Sequence, residues 1–259
     1  MRRSKAVNNE SMIKQHLSNI PPQLTEMLQR TFQKDCVVQL DHLLPLDLRK
    51  SMFEEATTLR NRTAVRRDLE LAATGKTPRI YDCVGRDVIK EHGTIIPSFF
   101  HSLSVKRYLS QVVGEEVHCI PYAPEEYIIN SQNKPADTHG WHFDDYTFAL
   151  IWMVEAPGPF DGGRIEYVPN IVWDKNAPRE QLESVLTERP VQSIYVPAGS
   201  CYLMRAQTTL HRVTPLLQET QRTVIVFSYA STADLTDDSI THETVEEIYT
   251  DEHFAVPAE

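Results

Sequence analysis

A histidine and a carboxylate stand two residues apart in the segment THGWHFDDYTFALIWMV, as His142 and Asp144. In an extended strand positions i and i+2 face the same side, so the pair can present an imidazole and a carboxylate to one point. A second, distant histidine would complete the 2-His-1-carboxylate set that holds Fe(II) on one face and leaves the opposite positions open. Downstream, His242 and His253 lie in an acidic, weakly patterned tail, whereas His211 sits in the strand-like TTLHRVTPL. Eleven residues beyond His211, Arg222 opens the most apolar strand of the region, RTVIVFSYA. An uncompensated buried charge is costly, so a guanidinium there needs an anion, and a small dicarboxylate would pair with it bidentately. Other readings exist for each residue. His142 could be a core histidine with Asp144 or Asp145 capping a turn, and Arg222 could pair with an acidic residue of the N-terminal helices. A Zn²⁺ hydrolase could use the same three ligands, although it would give Arg222 no task. The chain has no GxSxG elbow and no P-loop, so serine-elbow acyl transfer and nucleotide hydrolysis lack support.

The elements that must position these residues change character along the chain. In the first third, Leu24, Met27, Leu28 and Phe32 recur at helical spacing after Pro21-Pro22, and Leu48, Met52, Phe53, Ala56 and Leu59 do so after Pro45. This pattern predicts two amphipathic helices, and a third over 102–113 stops at Gly114. The arginines Arg60, Arg62, Arg66 and Arg67 read as a solvated helix face. From residue 117 onward, VHCIPY, EEYIIN, HFDDYTFALIWMV, RIEYVP, SIYVPA, CYLMRA, LHRVTPL and RTVIVFSYA are short, rich in β-branched and aromatic residues, and punctuated by Pro, Gly and Asn. Such spacing predicts an antiparallel sandwich or barrel rather than βαβ units. Residues 178–185 read as a short inserted helix, and 243–249 as a closing helix or a frayed end. The expected organisation is one domain over 1–259: a mostly helical support region (1–116), a β core (117–232) and an acidic C-terminal segment (233–259).

The formal charge of the 259 residues is −10. Nine acidic residues and no Lys or Arg fall between Asp234 and Glu259, which leaves about −1 for the body. No basic stripe for nucleic acid is present. The longest apolar run, Phe148 to Val154, falls far short of the ~18 residues of a membrane span. No secretory signal is visible at the start, and four scattered cysteines without CxxC spacing suit a reducing cytoplasm. The expectation is a cytoplasmic protein without nucleic-acid or membrane partners; a homo-oligomeric state stays open.

The order HxD…His…Arg resembles the Fe(II)/2-oxoglutarate-dependent oxygenases. More narrowly, THGWHFDDYTFALIWMVEAP resembles the free-amino-acid halogenases and hydroxylases, the group that includes the lysine chlorinase BesD. The match runs from about Thr138 to Tyr229, with thinner support back to Arg79. This resemblance implies a double-stranded β-helix (jelly-roll) core, mainly β with N-terminal helices. It implies Fe(II) on His142, Asp144 and His211, and 2-oxoglutarate on Arg222, with O₂ as co-substrate. The chlorinases of the group carry glycine at the carboxylate position, which opens a site for chloride. Asp144 fills that site here, which implies hydroxylation. The resemblance also implies substrate contacts from Arg79 to the α-carboxylate and from Glu125 and His139, helped by Asp145, to the side-chain amine. The implied substrate is a free L-amino acid, in the first place a basic one such as lysine. The strand after Arg222 supplies Val226 and Ser228 where lysine-acting members carry polar residues and a tryptophan, so ornithine, arginine or a more apolar amino acid stay open. A peptidyl hydroxylase, a cupin-type enzyme that does not use 2-oxoglutarate and a binding module with a metal site are the rival readings.

Overall fold

The computed structural model describes residues 2–248. The chain runs α1 (Arg2–Ser18), α2 (Pro22–Asp35), β1 (Val37–Gln39), α3 (Leu46–Thr63), β2 (Val65–Leu71), β3 (Thr77–Val84), α4 (Arg86–His92), α5 (Ile95–Phe100), α6 (Leu103–Val113) and β4 (His118–Cys119). It continues through β5 (Tyr127–Gln132), β6 (Thr138–His142), β7 (Phe148–Glu155), β8 (Ile165–Val168), α7 (Pro178–Glu188), β9 (Gln192–Ile194), β10 (Cys201–Arg205), β11 (Leu210–Val213), β12 (Arg222–Ala230) and α8 (Glu243–Ile248). The expected helices after Pro21 and Pro45 are α2 and α3. The expected stop of α6 at Gly114 is a left-handed residue at φ 84°, a conformation glycine adopts without steric cost.

Twelve strands form one antiparallel sheet in the order β1-β10-β7-β12-β5-β3-β6-β11-β8-β9, with β2 beside β3 and β4 beside β12. The sheet curls so that residues from both of its halves line one cavity. Alternation along β7 and β12 builds this arrangement. Phe148, Leu150 and Trp152 of β7, with Ile225, Phe227 and Tyr229 of β12, pack against Phe32, Met52, Phe99 and Leu109 of the helices. Ala149 and Ile151, with Arg222, Val224, Val226 and Ser228, face the cavity. Both faces are covered, so β7 is apolar from Phe148 to Val154 and β12 from Val224 to Phe227, as two-sided burial demands. The helical layer thus backs the strands whose other face carries the site.

Two features depart from the sequence expectations. Residues 65–84 are a β-hairpin, β2–β3, inside the region expected to be helical support. Of the four arginines expected on a solvated helix face, only Arg62 on α3 is exposed: Arg67 is buried on β2, Arg66 pairs with Asp137, and Arg60 of α3 pairs with Glu155. Arg66 and Arg60 are held by long-range partners that local patterning cannot reveal. In addition, the expected single strand through HFDDYTFALIWMV is two. β6 ends at His142, and the chain leaves the sheet over 143–147 before β7 begins. There the Asp234 carboxylate accepts from the Thr147 amide at 3.0 Å and from its hydroxyl at 2.9 Å.

Candidate active site

His142 on β6 and His211 on β11 are direct cross-strand partners. Paired residues of adjacent antiparallel strands point to the same face, which brings the rings to 4.1 Å between centroids. Asp144 lies past the end of β6, not on the strand with His142. Its amide donates to Ala206 O at 3.3 Å, and the turning chain brings its carboxylate between the histidines. Asp144 Oδ1 is 3.5 Å from His142 Nε2 and 3.6 Å from His211 Nε2. One atom from each residue lies within 4.8 Å of the others, close enough for one ion to reach all three.

The backbone fixes which nitrogen each histidine offers. His142 Nδ1 lies 2.7 Å from Gly140 O and His211 Nδ1 lies 2.8 Å from Thr209 O. A carbonyl only accepts, so each Nδ1 carries a proton and each Nε2 is the nitrogen turned toward Asp144. Outer partners of this kind orient metal-ligating histidines. Burial, reinforced by the charge of His211, holds His142 well below the usual imidazole range. Burial likewise raises the Asp144 carboxyl, against the pull of His211 and Arg79. Two imidazoles and one carboxylate form a donor set suited to a divalent cation.

Arg222 begins β12 within the same cavity and is only 2% exposed. Its Nε donates to Gly163 O at 3.1 Å and its Nη1 to Gln132 Oε1 at 2.9 Å. Both acceptors are neutral, and no carboxylate among the described residues forms an ion pair with it. Pairing with an acidic residue of the N-terminal helices is therefore excluded among those residues. Burial lowers the Arg222 pKa, with the Tyr202 phenol working the other way. Gly163, at φ 65°, leaves room for the guanidinium stem: a Cβ there would stand 3.0 Å from Arg222 Cδ.

The remaining expected residues meet in the same cavity, about 130 Å³ in volume. Arg79 on β3 is paired in register with His139 on β6. It is 1% exposed, and its Nη1 donates to Thr77 Oγ1 and Pro78 O, each at 3.1 Å. His139 and His142 would face opposite ways on a regular strand. The register shift between β6 and β11 turns them to one side, as a bulge does, and the rings stack at 4.1 Å. Burial, together with Arg79, keeps His139 well below the usual imidazole range. Glu125 faces the cavity, whereas its neighbour Glu126 turns away to Arg86, 2.7 Å distant. Burial and the nearby Glu125 push the Asp145 carboxyl up to about 7. Burial also raises Glu125, against the hydrogen bond from His242.

The expected closing helix is α8, but sequence reasoning missed His242 and the part α8 takes in lining the cavity. His242 lies 2.8 Å from Glu125 through Nδ1, and Thr244, Val245 and Ile248 line the cavity. His242 stands in the tail set aside above for its weak pattern, and no local signal marked it. The far end of the expected closing helix, Tyr249, lies outside the described residues.

The family model for halogenase D matches residues 20–250. The chain belongs to the halogenase D family. No curated protein sequence matches it, but solved structures share its fold. AviO1 from Streptomyces viridochromogenes Tue57 superposes at a TM-score of 0.60 with 18% identity, over 81% of this chain and 96% of that one. The epimerase SnoN of nogalamycin biosynthesis, in complex with Fe³⁺, alpha-ketoglutarate and nogalamycin RO, gives 0.60 and 14% over 82% and 85%. A Trichoplax adhaerens prolyl hydroxylase bound to a hypoxia-inducible-factor peptide fragment gives 0.58 and 12% over 83% and 94%. This halogenase D family member therefore has the jelly-roll fold of the 2-oxoglutarate oxygenases. Family and fold together place it in that class of enzyme, and its His142, Asp144 and His211 cluster fits the iron that the class uses.

Proposed function

We propose that this halogenase D family member hydroxylates an unactivated C–H bond of a free L-amino acid, using Fe(II), 2-oxoglutarate and O₂. The observation that carries the reading is Arg222, a buried guanidinium facing neutral acceptors in the same cavity as the His142, Asp144 and His211 cluster. A buried cation without a carboxylate partner is a site for one. In this reading Arg222 clamps the distal carboxylate of 2-oxoglutarate, and His142, Asp144 and His211 hold the iron. When bound, the iron with 2-oxoglutarate and O₂ supplies the oxidation, releasing succinate and CO₂.

The protein's task is to choose the bond that faces the metal and to exclude water. Arg79, beside His139, takes the substrate's α-carboxylate at the buried end of β3. Glu125 and Asp145 take ammonium groups, since crowded carboxylates in a partly enclosed cavity favour a cation. A basic amino acid such as lysine meets both demands and is the first substrate to try. Hydroxylation rather than halogenation follows from Asp144, whose carboxylate occupies the position a halide would need. The unpaired thiols of Cys36, Cys83, Cys119 and Cys201 support a reducing, cytoplasmic setting.

Succinate release from the Fe(II)-loaded enzyme, measured against a panel of free amino acids with product masses read in parallel, tests the proposal. One basic amino acid should drive succinate release and gain one oxygen. A chlorinated product in the presence of chloride, or succinate release that no amino acid stimulates, would contradict it.

A further inference from the structure

One wall of the cavity is built by chain that the strand pattern does not account for. After β12 the backbone passes a knot at Asp234, which accepts from the amides of Thr147 and Ser231 at 3.0 and 2.8 Å. It then returns so that α8 packs on β2 and on the turn over 72–74, with Thr244, Val245 and Ile248 along the cavity. His242, just before α8, joins this wall to the opposite side. Its ring lies flat on Tyr122, with centroids 3.7 Å apart and planes 4° from parallel, and it is 5.8 Å from Tyr146. Its Nδ1 is 2.8 Å from Glu125 Oε1, and its carbonyl accepts the Glu246 amide at 2.8 Å at the start of α8.

Glu125 needs such a partner. It ends the short turn over 123–125 and is not carried by a strand, and a free glutamate side chain samples many rotamers. Oε1 accepts from His242, which leaves Oε2 for a ligand in the cavity. A binding carboxylate is effective when a second group locks its orientation.

We propose that His242 is a positioning residue for substrate choice: it holds Glu125 toward the cavity to receive an ammonium group and pins α8 over the bound amino acid. This inference rests on the reading of the cavity as an amino-acid site. Removal of His242 then loosens two things together, the ammonium contact and the wall that keeps water from the metal. The binding of 2-oxoglutarate, anchored at Arg222 on β12, does not depend on it.

The test compares the full-length chain with His242→Ala and His242→Gln, a glutamine amide still being able to donate to Glu125. Steady-state assays with lysine and the other basic amino acids give KM for the amino acid, KM for 2-oxoglutarate and succinate formed per hydroxylated product. Hydrogen exchange over 243–248 is followed on metal-free protein with and without the amino acid. His242→Ala should raise the amino-acid KM about tenfold, the scale of one lost charge-assisted hydrogen bond. The 2-oxoglutarate KM should stay unchanged, excess succinate should appear, and exchange over 243–248 should quicken. His242→Gln should recover most of the amino-acid KM. An equal rise in both KM values would mark a merely structural role and overturn the inference. An unchanged amino-acid KM with one succinate per product in His242→Ala would overturn it too, while leaving the amino-acid reading intact. A wild-type chain with neither turnover of nor protection by any amino acid would overturn both.

Discussion

Replacing Arg222 by methionine separates the buried cation's part in ligand binding from its part in stability. Methionine keeps an apolar stem out to the position of Nε but removes the charge and all the guanidinium donors. In the ligand-free protein, Gly163 O and Gln132 Oε1 lose the hydrogen bonds at 3.1 and 2.9 Å. That loss costs about 1–3 kcal/mol. Against it stands the relief of a buried charge that no carboxylate neutralises, so the net change in stability is small and of either sign. With 2-oxoglutarate the balance is one-sided. Truncating one partner of a buried charge pair costs about 2–5 kcal/mol, roughly 30- to 5,000-fold in Kd. A ligand at 100 times Kd stabilises by about 2.7 kcal/mol, which in a chain of this size raises Tm by about 5–11 °C. A 30-fold weaker Kd at the same concentration leaves about 0.9 kcal/mol. Thermal unfolding of the Mn(II)-loaded proteins, with and without 2-oxoglutarate, reads both terms without turnover. We expect similar Tm values for the two ligand-free proteins, the full shift in wild type and at most about 2–4 °C in the variant. An undiminished 2-oxoglutarate shift in Arg222→Met would refute the role given to the guanidinium.

Three further outcomes follow from particular contacts. Gly140→Ala would place a Cβ 2.7 Å from Pro78 Cδ and 2.9 Å from Pro78 N. It should force β3 and β6 apart under the Gly140 carbonyl that orients His142, weakening metal affinity about 10- to 100-fold; unchanged metal affinity on titration would oppose this. Asp234→Ala leaves the buried amides of Thr147 and Ser231 and the Thr147 hydroxyl without their acceptor, and should cost about 2–4 kcal/mol, read as a lower urea midpoint. Asp137 supplies an acid-stability test. Burial raises its carboxyl, but Arg66 and the amides of Asn133 and Lys134 outweigh this and hold it below the usual range. Its contribution is therefore present above the unfolded pKa of about 4 and is lost as pH falls through the lower folded value. Arg66→Gln should move acid unfolding to higher pH, and an unmoved acid midpoint would count against the pairing.

His142, Asp144, His211 and Arg222 were legible in the sequence because their chemistry is carried by residue type and order. A carboxylate two residues from a histidine, and an arginine opening an apolar strand, are both local signals. The alternation that sends Arg222, Val224, Val226 and Ser228 to one face of β12 was likewise legible from period-2 geometry. The β2–β3 hairpin was not, because Arg66, Arg67 and Arg79 break its apolar pattern, and what holds them, such as Asp137 for Arg66, is distant in sequence. The strand argument brings Asp144 to the side of His142, where the structure has it, although β6 ends at His142; the contact between Asp144 N and Ala206 O does the placing. His139 and His142 share a side only through a register shift, which depends on β11. His242 meets Glu125 across 117 residues of chain, beyond any periodicity.

The central claim is oxygenation by an iron site that keeps its carboxylate ligand. Turnover under ¹⁸O₂ with Fe(II), 2-oxoglutarate, chloride and the amino acid that stimulates succinate release tests it most directly. The account predicts one ¹⁸O atom in the amino-acid product, one in succinate, and no chlorine in either. A product bearing chlorine, or one whose new oxygen comes from water, would contradict it.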